Sequence, residues 1–245
     1  MIRSFCVVCF ALALIVVLGC PLLLYTVVSG NSNLIYRVGV LGARLAVRLA
    51  GVRLMVRGRE KIPVQRAVVF MANHQSNCDP PAVIGLLPPV LMLAKEEFFR
   101  VPILGHAMRL RGFVPVDRKS REKAIRAIDR AAAALASGYS FLVFPEGTRS
   151  EDGRLLPFKK GVFIMAVKAG APIVPISISG SRKIMPKGKA TIRPGRVRIT
   201  FHDPVVTEGV ALEQTGAVQE AVRNAILSGL SEEEMPPSED GRARF

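Results

Sequence analysis

Two short polar stretches carry the residue types that do chemistry. The first, NHQSNCD at 73–79, follows the apolar run AVVFMA at 67–72. The chain has three histidines in 245 residues, and one of them, His74, opens this stretch with Asp79 five positions on. A carboxylate that accepts from one imidazole nitrogen holds the ring in one tautomer. The other nitrogen is then free to take a proton from a substrate hydroxyl. In a continuous helix five residues would set the two side chains about 140° apart. They meet only if residues 75–78 form a turn. Asp79 also precedes PPAVIGLL, where it suits a helix cap with Pro80 in the first turn. A third reading makes Cys78 a nucleophile with His74 as its base.

The second stretch, FPEGTRS at 144–150, ends another apolar run. Gly147 permits positive φ and close approach of main-chain N–H groups to an anion. Arg149 offers a fork for phosphate. Glu146 is suited to orient Arg149 or a substrate hydroxyl. A turn with a surface ion pair fits the same residues.

Both stretches need strand ends to position them. Runs at 67–72, 90–94, 112–116, 140–144, 172–178 and 196–201 read as strands. Helical periods near 80–87, 96–110, 119–137 and 159–169 lie between them. On the 119–137 helix the spacing places Ile125, Ile128, Ala132 and Leu135 on one face. Apolar strands alternating with helices predict an α/β fold with a mostly parallel central sheet flanked by helices. Such sheets gather sites at the carboxyl ends of their strands.

Ahead of this body, residues 5–28 hold no charge and are long enough to cross a hydrocarbon core of roughly 30 Å. The apolar run continues past Cys20, which favours a retained anchor over a cleaved signal. Pro21 is a candidate for a kink or a re-entrant turn. Beyond it, Arg37, Arg44 and Arg48 share one helical face, as in a helix lying in the lipid interface; a helix packed on the core is the alternative. Six arginines follow the apolar segment by residue 59 and only Arg3 precedes it. The positive-inside rule therefore predicts a cytoplasmic membrane protein with its catalytic body on the cytoplasmic face. The expected organisation is a membrane anchor and interfacial helix (1–60), a catalytic domain (61–230) and a disordered acidic tail (231–245).

The net charge of +15 calls for an anionic partner. Nucleic acid is disfavoured: there is no tryptophan, only three tyrosines, and no recognisable nucleic-acid-binding motif. Cys6, Cys9 and Cys20 lie in the apolar segment and read as packing, with no disulfide framework. His106 and His202 read as structural.

Taken together, NHQSNCD and FPEGTRS, about 70 residues apart, resemble the two hallmark blocks of the glycerolipid acyltransferases, and most closely those of 1-acylglycerol-3-phosphate acyltransferases. KEEFFRVPILG (95–105), GFVPVDR (112–118), PFKKG (157–161) and VPISISG (174–180) resemble further blocks in the same order. The resemblance implies His74 as general base, Asp79 as its orienting partner, and Arg149 with Arg118 and Lys95 on the acceptor phosphate. Glu146 and Gly147 would shape that site. It implies acyl-CoA or acyl carrier protein as donor, a lysophospholipid acceptor at the bilayer, direct transfer without an acyl-enzyme, and neither metal nor cofactor. Asn77, Cys78 and Pro115 stand where family members often carry aromatics, which leaves other acceptors open: lyso-ornithine lipid or glycerol 3-phosphate. A non-catalytic protein that binds anionic lipid, and a thioesterase-like hydrolase, are the readings of another class.

Overall fold

The computed structural model describes residues 2–117 and 120–237. Arg118 lies outside these described residues.

The chain opens with α1 (Ile2–Ala13), a π-helical turn (Leu14–Leu18) and α2 (Gly19–Ser29). Together they run unbroken for 28 residues and contain an 18-residue stretch of mean hydropathy 3.0, long and apolar enough to cross a membrane. Pro21 has no N–H for the Val17 carbonyl, and the helix widens just before it into the π turn. Neither a hairpin nor a break occurs, and the helix lies along the body, with Arg3 beside Gly51, Ser4 accepting Ile192 N–H and Gly19 against Ile103. α3 (Asn33–Leu49) returns beside this helix, and Leu14 of the π turn fills the space over Gly42. α3 buries Gly42 against the N-terminal helix and Val47 against the body, and leaves Arg37, Arg44 and Arg48 exposed. It is thus a body-packed helix from which Arg37 and Arg48 reach outward while Arg44 turns onto the body. Arg44 Nε donates to the Gly85 carbonyl at 2.7 Å.

The body follows in order: β1 (Val52–Arg57), β2 (Val69–Ala72), α4 (Asp79–Ile84), β3 (Val90–Lys95), α5 (Leu104–Arg111), β4 (Val114–Val116), α6 (Arg121–Ala136), β5 (Ser140–Val143), α7 (Gly161–Lys168), β6 (Ile173–Ser179), α8 (Ser181–Ile184), β7 (Gly195–Phe201) and α9 (Thr215–Ser228). The seven strands form one sheet in the order β1-β7-β6-β2-β5-β3-β4. Every pairing is parallel except β6 with β7. β2 and β6 are central and buried along their whole length, which explains the apolar run of β2 and that of β6, broken only by Ser177 and Ser179. One face of the sheet is covered by α6, α7 and α9, the other by α3 and α4.

Three expectations are corrected. Residues 52–57 belong to the sheet, so the body begins before residue 61. The arginines at 53 and 57 hid the strand, because its outward side is charged and only Val52 and Leu54 turn inward. The buried side of α6 is Ala127, Ala131, Ala132 and Leu135; Ile125 is exposed. Small residues let this helix sit close to the sheet, so hydrophobic size misled the phase. Finally, the acidic end is not wholly solvated. Glu234 is buried, accepts from Gly180 N–H and from Ser231, and its carbonyl takes Leu155 N–H.

Ile103, at φ 63 and ψ −62, is the centre of a tight three-residue turn closed by Leu104 N–H on the Pro102 carbonyl at 2.6 Å. A β-branched residue is strained there. Its Cγ2 lies 2.8 Å from where a Cβ on Gly19 would stand, so the N-terminal apolar helix and this turn are seated against each other.

Candidate active site

β2 and β5 are parallel neighbours, and both polar loops leave the sheet at their carboxyl ends. Asn73 fixes the first exit. Its side chain donates to the Ile178 carbonyl at 2.8 Å and accepts from Ile178 N–H at 2.7 Å. This two-way clasp continues the β2–β6 ladder by one side chain and satisfies a buried amide.

The next residues turn as the His–Asp reading requires. His74 Nδ1 lies 2.9 Å from Asp79 Oδ2, and that oxygen also accepts Gln75 N–H and Ser76 N–H, each at 2.7 Å. Asp79 is fully buried and begins α4, yet its carboxylate points back into the loop and does not cap the helix. The capping alternative is therefore set aside. An oxygen that already accepts two N–H groups makes Nδ1 the donor, which leaves Nε2 as the basic nitrogen of the neutral ring. The imidazole keeps 16 % of its side-chain surface exposed and stacks on Phe144, with centroids 4.2 Å apart.

The second loop grips the first. Glu146 takes His74 N–H on one carboxylate oxygen and Leu156 N–H on the other at 2.9 Å. Ser150 N–H donates to the His74 carbonyl at 2.8 Å. Phe144, Glu146 and Ser150 thus fix the ring, the amide and the carbonyl of one residue. Glu146 is 2 % exposed with both oxygens occupied. Its oxygens hold main chain and not the Arg149 guanidinium, so any part it has in shaping the acceptor site runs through the loop backbone. Burial pushes its carboxyl up to about 7, against hydrogen bonds from Leu156 and His74 N–H that pull it down, while the Asp79 charge adds to the rise.

Gly147 adopts φ 71, as expected for its type, but its N–H closes a turn onto the Phe144 carbonyl at 3.0 Å. The Lys159 stem lies over it, 3.4 Å from where a Cβ would stand. Arg149 is half-buried, and its Nη1 is buried without a hydrogen-bond partner among the described residues. Such a nitrogen is costly unless a ligand supplies the acceptor.

Lys95 ends β3. By register it stands level with Asn73 and Pro145 at the same sheet edge, two strands from β2. Its side chain is exposed and paired with Glu97 at 2.8 Å, so the structure does not bring it against His74. Cys78 is buried, and burial together with the Asp79 charge pushes its thiol up to about 12. A thiol so hard to ionise is no nucleophile at neutral pH. His202 shares a 2.7 Å hydrogen bond with Ser177 Oγ, which donates to the Ile226 carbonyl and ties α9 to the sheet; His106 is exposed. Among the described residues no group of three His, Cys, Asp or Glu side chains is placed to hold a metal ion.

Sequence reasoning missed Asn73, Phe144 and Ser150 as positioning residues. Each lies inside a noticed motif or beside one, but acts through main chain or ring stacking, which residue type does not announce.

Comparison with known proteins bears on the family and the fold. Residues 53–179 match the Acyltransferase family. A 1-acyl-sn-glycerol-3-phosphate acyltransferase of Chlamydomonas reinhardtii is 37 % identical over 191 residues, which is 76 % of this chain and 58 % of that protein. The chloroplastic enzyme LPAT1 of Arabidopsis thaliana is 37 % identical over 62 % of this chain and 44 % of its own. The chain thus spans about half the length of these curated relatives. The crystal structure of the 1-acyl-sn-glycerophosphate (LPA) acyltransferase PlsC from Thermotoga maritima superposes with a TM-score of 0.80 at 31 % identity, covering 93 % of each chain. The family match begins at β1 and ends with β6, spanning both polar loops and the strands that present them, and on these grounds the chain belongs to the acyltransferase family.

Proposed function

We propose that the protein acylates the free hydroxyl of 1-acylglycerol 3-phosphate from an acyl thioester, giving phosphatidic acid. His74 Nε2 removes the hydroxyl proton while Asp79 holds Nδ1–H. The acceptor oxygen adds to the thioester carbonyl, and a tetrahedral intermediate forms. Its collapse breaks the C–S bond, and the leaving thiolate takes the proton back from the imidazolium. No acyl-enzyme is needed, and Cys78 plays no part. General-base assistance of this kind contributes on the order of 10²–10⁴ in rate. Arg149 binds the acceptor phosphate, with Lys95 and Arg118 completing the site. Glu146 and Gly147 keep the loop in shape around them. The donor is acyl-CoA or acyl carrier protein, both acidic, in keeping with the basic chain. The helix of residues 2–29 anchors the enzyme in the cytoplasmic membrane, with the body on the cytoplasmic side.

The observation that carries this reading is the single unit formed by the two loops. A partly exposed imidazole is oriented by a buried carboxylate, and a loop bonded to its own main chain carries a guanidinium nitrogen that lacks an acceptor. Its test is acyl transfer by the detergent-purified protein with one acyl thioester and four acceptors: lysophosphatidic acid, glycerol 3-phosphate, lyso-ornithine lipid and lysophosphatidylcholine. Product with lysophosphatidic acid alone is expected. Product with a phosphate-free acceptor would keep the chemistry and overturn the acceptor.

A further inference from the structure

A second basic concavity lies at the far end of the same sheet edge. Val52 and Gly195 begin β1 and β7 side by side, and these strands run antiparallel to β6. Their starts therefore share an edge with the carboxyl ends of β6 and β2. By strand register the cleft lies on the order of 20 Å from His74, three strands across and four residues along. Its volume is about 580 Å³, and its lining includes Arg3, Arg48, Arg53 and Arg196 and no acidic residue.

Three features make it more than a basic patch. Arg53 and Arg196 are direct cross-strand partners, so two like charges stand opposite each other, which is unfavourable unless an anion lies between them. None of the four guanidinium groups has a carboxylate or hydrogen-bond partner among the described residues, although many other cations of the chain do. Gly51, at φ 69, supplies the floor: a Cβ there would stand 2.9 Å from Arg3 Nη1 and 3.0 Å from Pro194 Cβ. The turn thus brings the first arginine of the membrane helix onto the start of the sheet.

We propose that this cleft is a phosphate-recognition site, distinct from the catalytic loops, that holds the head group of an anionic phospholipid. Four unpaired forks suit the oxygens of a phosphoester. The source follows from where they stand. Arg3 begins the long apolar helix, between Ile2 and Phe5, which are 82 % and 71 % exposed. Arg48 ends α3, its neighbour. Guanidinium groups so placed at the end of a lipid-facing helix sit at the depth of lipid phosphates. Filling the cleft would tie the membrane helix to the sheet through one lipid. This inference rests on the cleft alone and not on the acyl-transfer reading.

The test is native mass spectrometry of the full chain in detergent, titrated separately with dioctanoyl phosphatidylglycerol, dioctanoyl phosphatidylcholine and CoA. No probe is the proposed product, and no turnover is needed, so failure of acyl transfer would leave the outcome intact. The R53Q/R196Q variant should lose phosphatidylglycerol affinity by about tenfold or more, as expected for removing two charged donors. R57Q/R59Q removes the same charge outside the cleft and should stay near wild type. Should R53Q/R196Q fail to fold, Arg48→Gln, at an exposed helix end, takes its place with the same expected direction. Equal losses in the cleft and control variants would overturn the site in favour of general surface charge. CoA binding that is lost with the cleft arginines, without phosphatidylglycerol binding, would overturn the lipid as source.

Discussion

The loops at 73–79 and 144–150 both leave parallel neighbouring strands at the same edge, and they use their polar atoms in opposite ways. In the first, one oxygen of Asp79 takes three donors, and the Asn73 amide is matched in both directions. Its buried atoms without a partner among the described residues, Asp79 Oδ1 and Gln75 Oε1, are acceptors, and the ring keeps one exposed edge. In the second, Glu146 and Ser150 are turned inward to hold His74, while Arg149 keeps a buried nitrogen without an acceptor. Under the proposed mechanism the difference separates two tasks. A base must be fixed before substrate arrives, because misplacement costs rate. A phosphate anchor keeps donors in reserve, because the ligand completes them. The second loop does both, since its inward residues immobilise the first.

The sharpest way to break this division is to remove the base. His74→Ala should lower kcat by on the order of 10²–10⁴ with little change in lysophosphatidic acid binding, read by single-turnover acyl transfer and equilibrium binding. A loss of binding equal to the loss of rate would mean that the first loop is also an anchor.

Glu146→Gln tests whether the second loop acts on the first through main chain. One acceptor is exchanged for an amide donor while two N–H groups still need partners, so a drop in kcat of about tenfold is expected, with acceptor KM much less affected. The pH dependence adds a signature. The folded carboxyl lies near 7, above its unfolded range, so folding favours the neutral form. The stability from this group is fully present below about pH 4.5 and is lost as pH rises through 7, by an amount on the order of 3 kcal/mol. In Glu146→Gln this fall should be absent from denaturant midpoints taken at pH 5 and pH 8. Glu234 has the opposite sign. Burial raises its carboxyl, but hydrogen bonds from Ser179, Gly180 N–H and Ser231 outweigh this and hold it below the usual value. Its stabilisation is present at neutral pH and is lost on acidification through the lowered value, so Glu234→Gln should be destabilised at pH 7 and approach wild type in acid.

The smallest effect is expected at Cys78. Cys78→Ser should stay within about twofold of wild-type activity, and the native thiol should resist maleimide at pH 7, since it is buried and ionises near 12. Inactivation by maleimide that tracks Cys78 labelling would restore the nucleophile reading.

How much of this was legible in the sequence depends on which atoms did the positioning. β2 and β6 were legible because a strand buried on both sides is mostly apolar. β1 was not, because its outward residues are arginines and the preceding helix carries the same spacing of charge. The His74–Asp79 pair was legible as a possibility, but the choice between orienting the ring and capping α4 rested on which way one carboxylate points. Glu146 looked like a ligand group because of its type. Its main-chain bond to a residue 72 positions earlier leaves no trace in residue spacing. Lys95 was marked only by the resemblance of its block, and the structure finds it paired with Glu97. The acidic end looked solvated because a run of glutamates normally is, and the Ser179, Gly180 and Ser231 donors make burial of Glu234 tolerable.

The division of labour between the loops is tested most directly by steady-state kinetics of Asp79→Asn and Arg149→Ala side by side, with lysophosphatidic acid varied at saturating acyl thioester. Asp79→Asn should lose kcat, by on the order of 10²–10⁴ as the ring loses its tautomer, at nearly constant acceptor KM. Arg149→Ala should raise acceptor KM about ten- to a hundredfold, the worth of a charged hydrogen bond, at nearly constant kcat. Equal losses of kcat in both variants, or an Arg149→Ala enzyme with wild-type acceptor KM, would contradict the account.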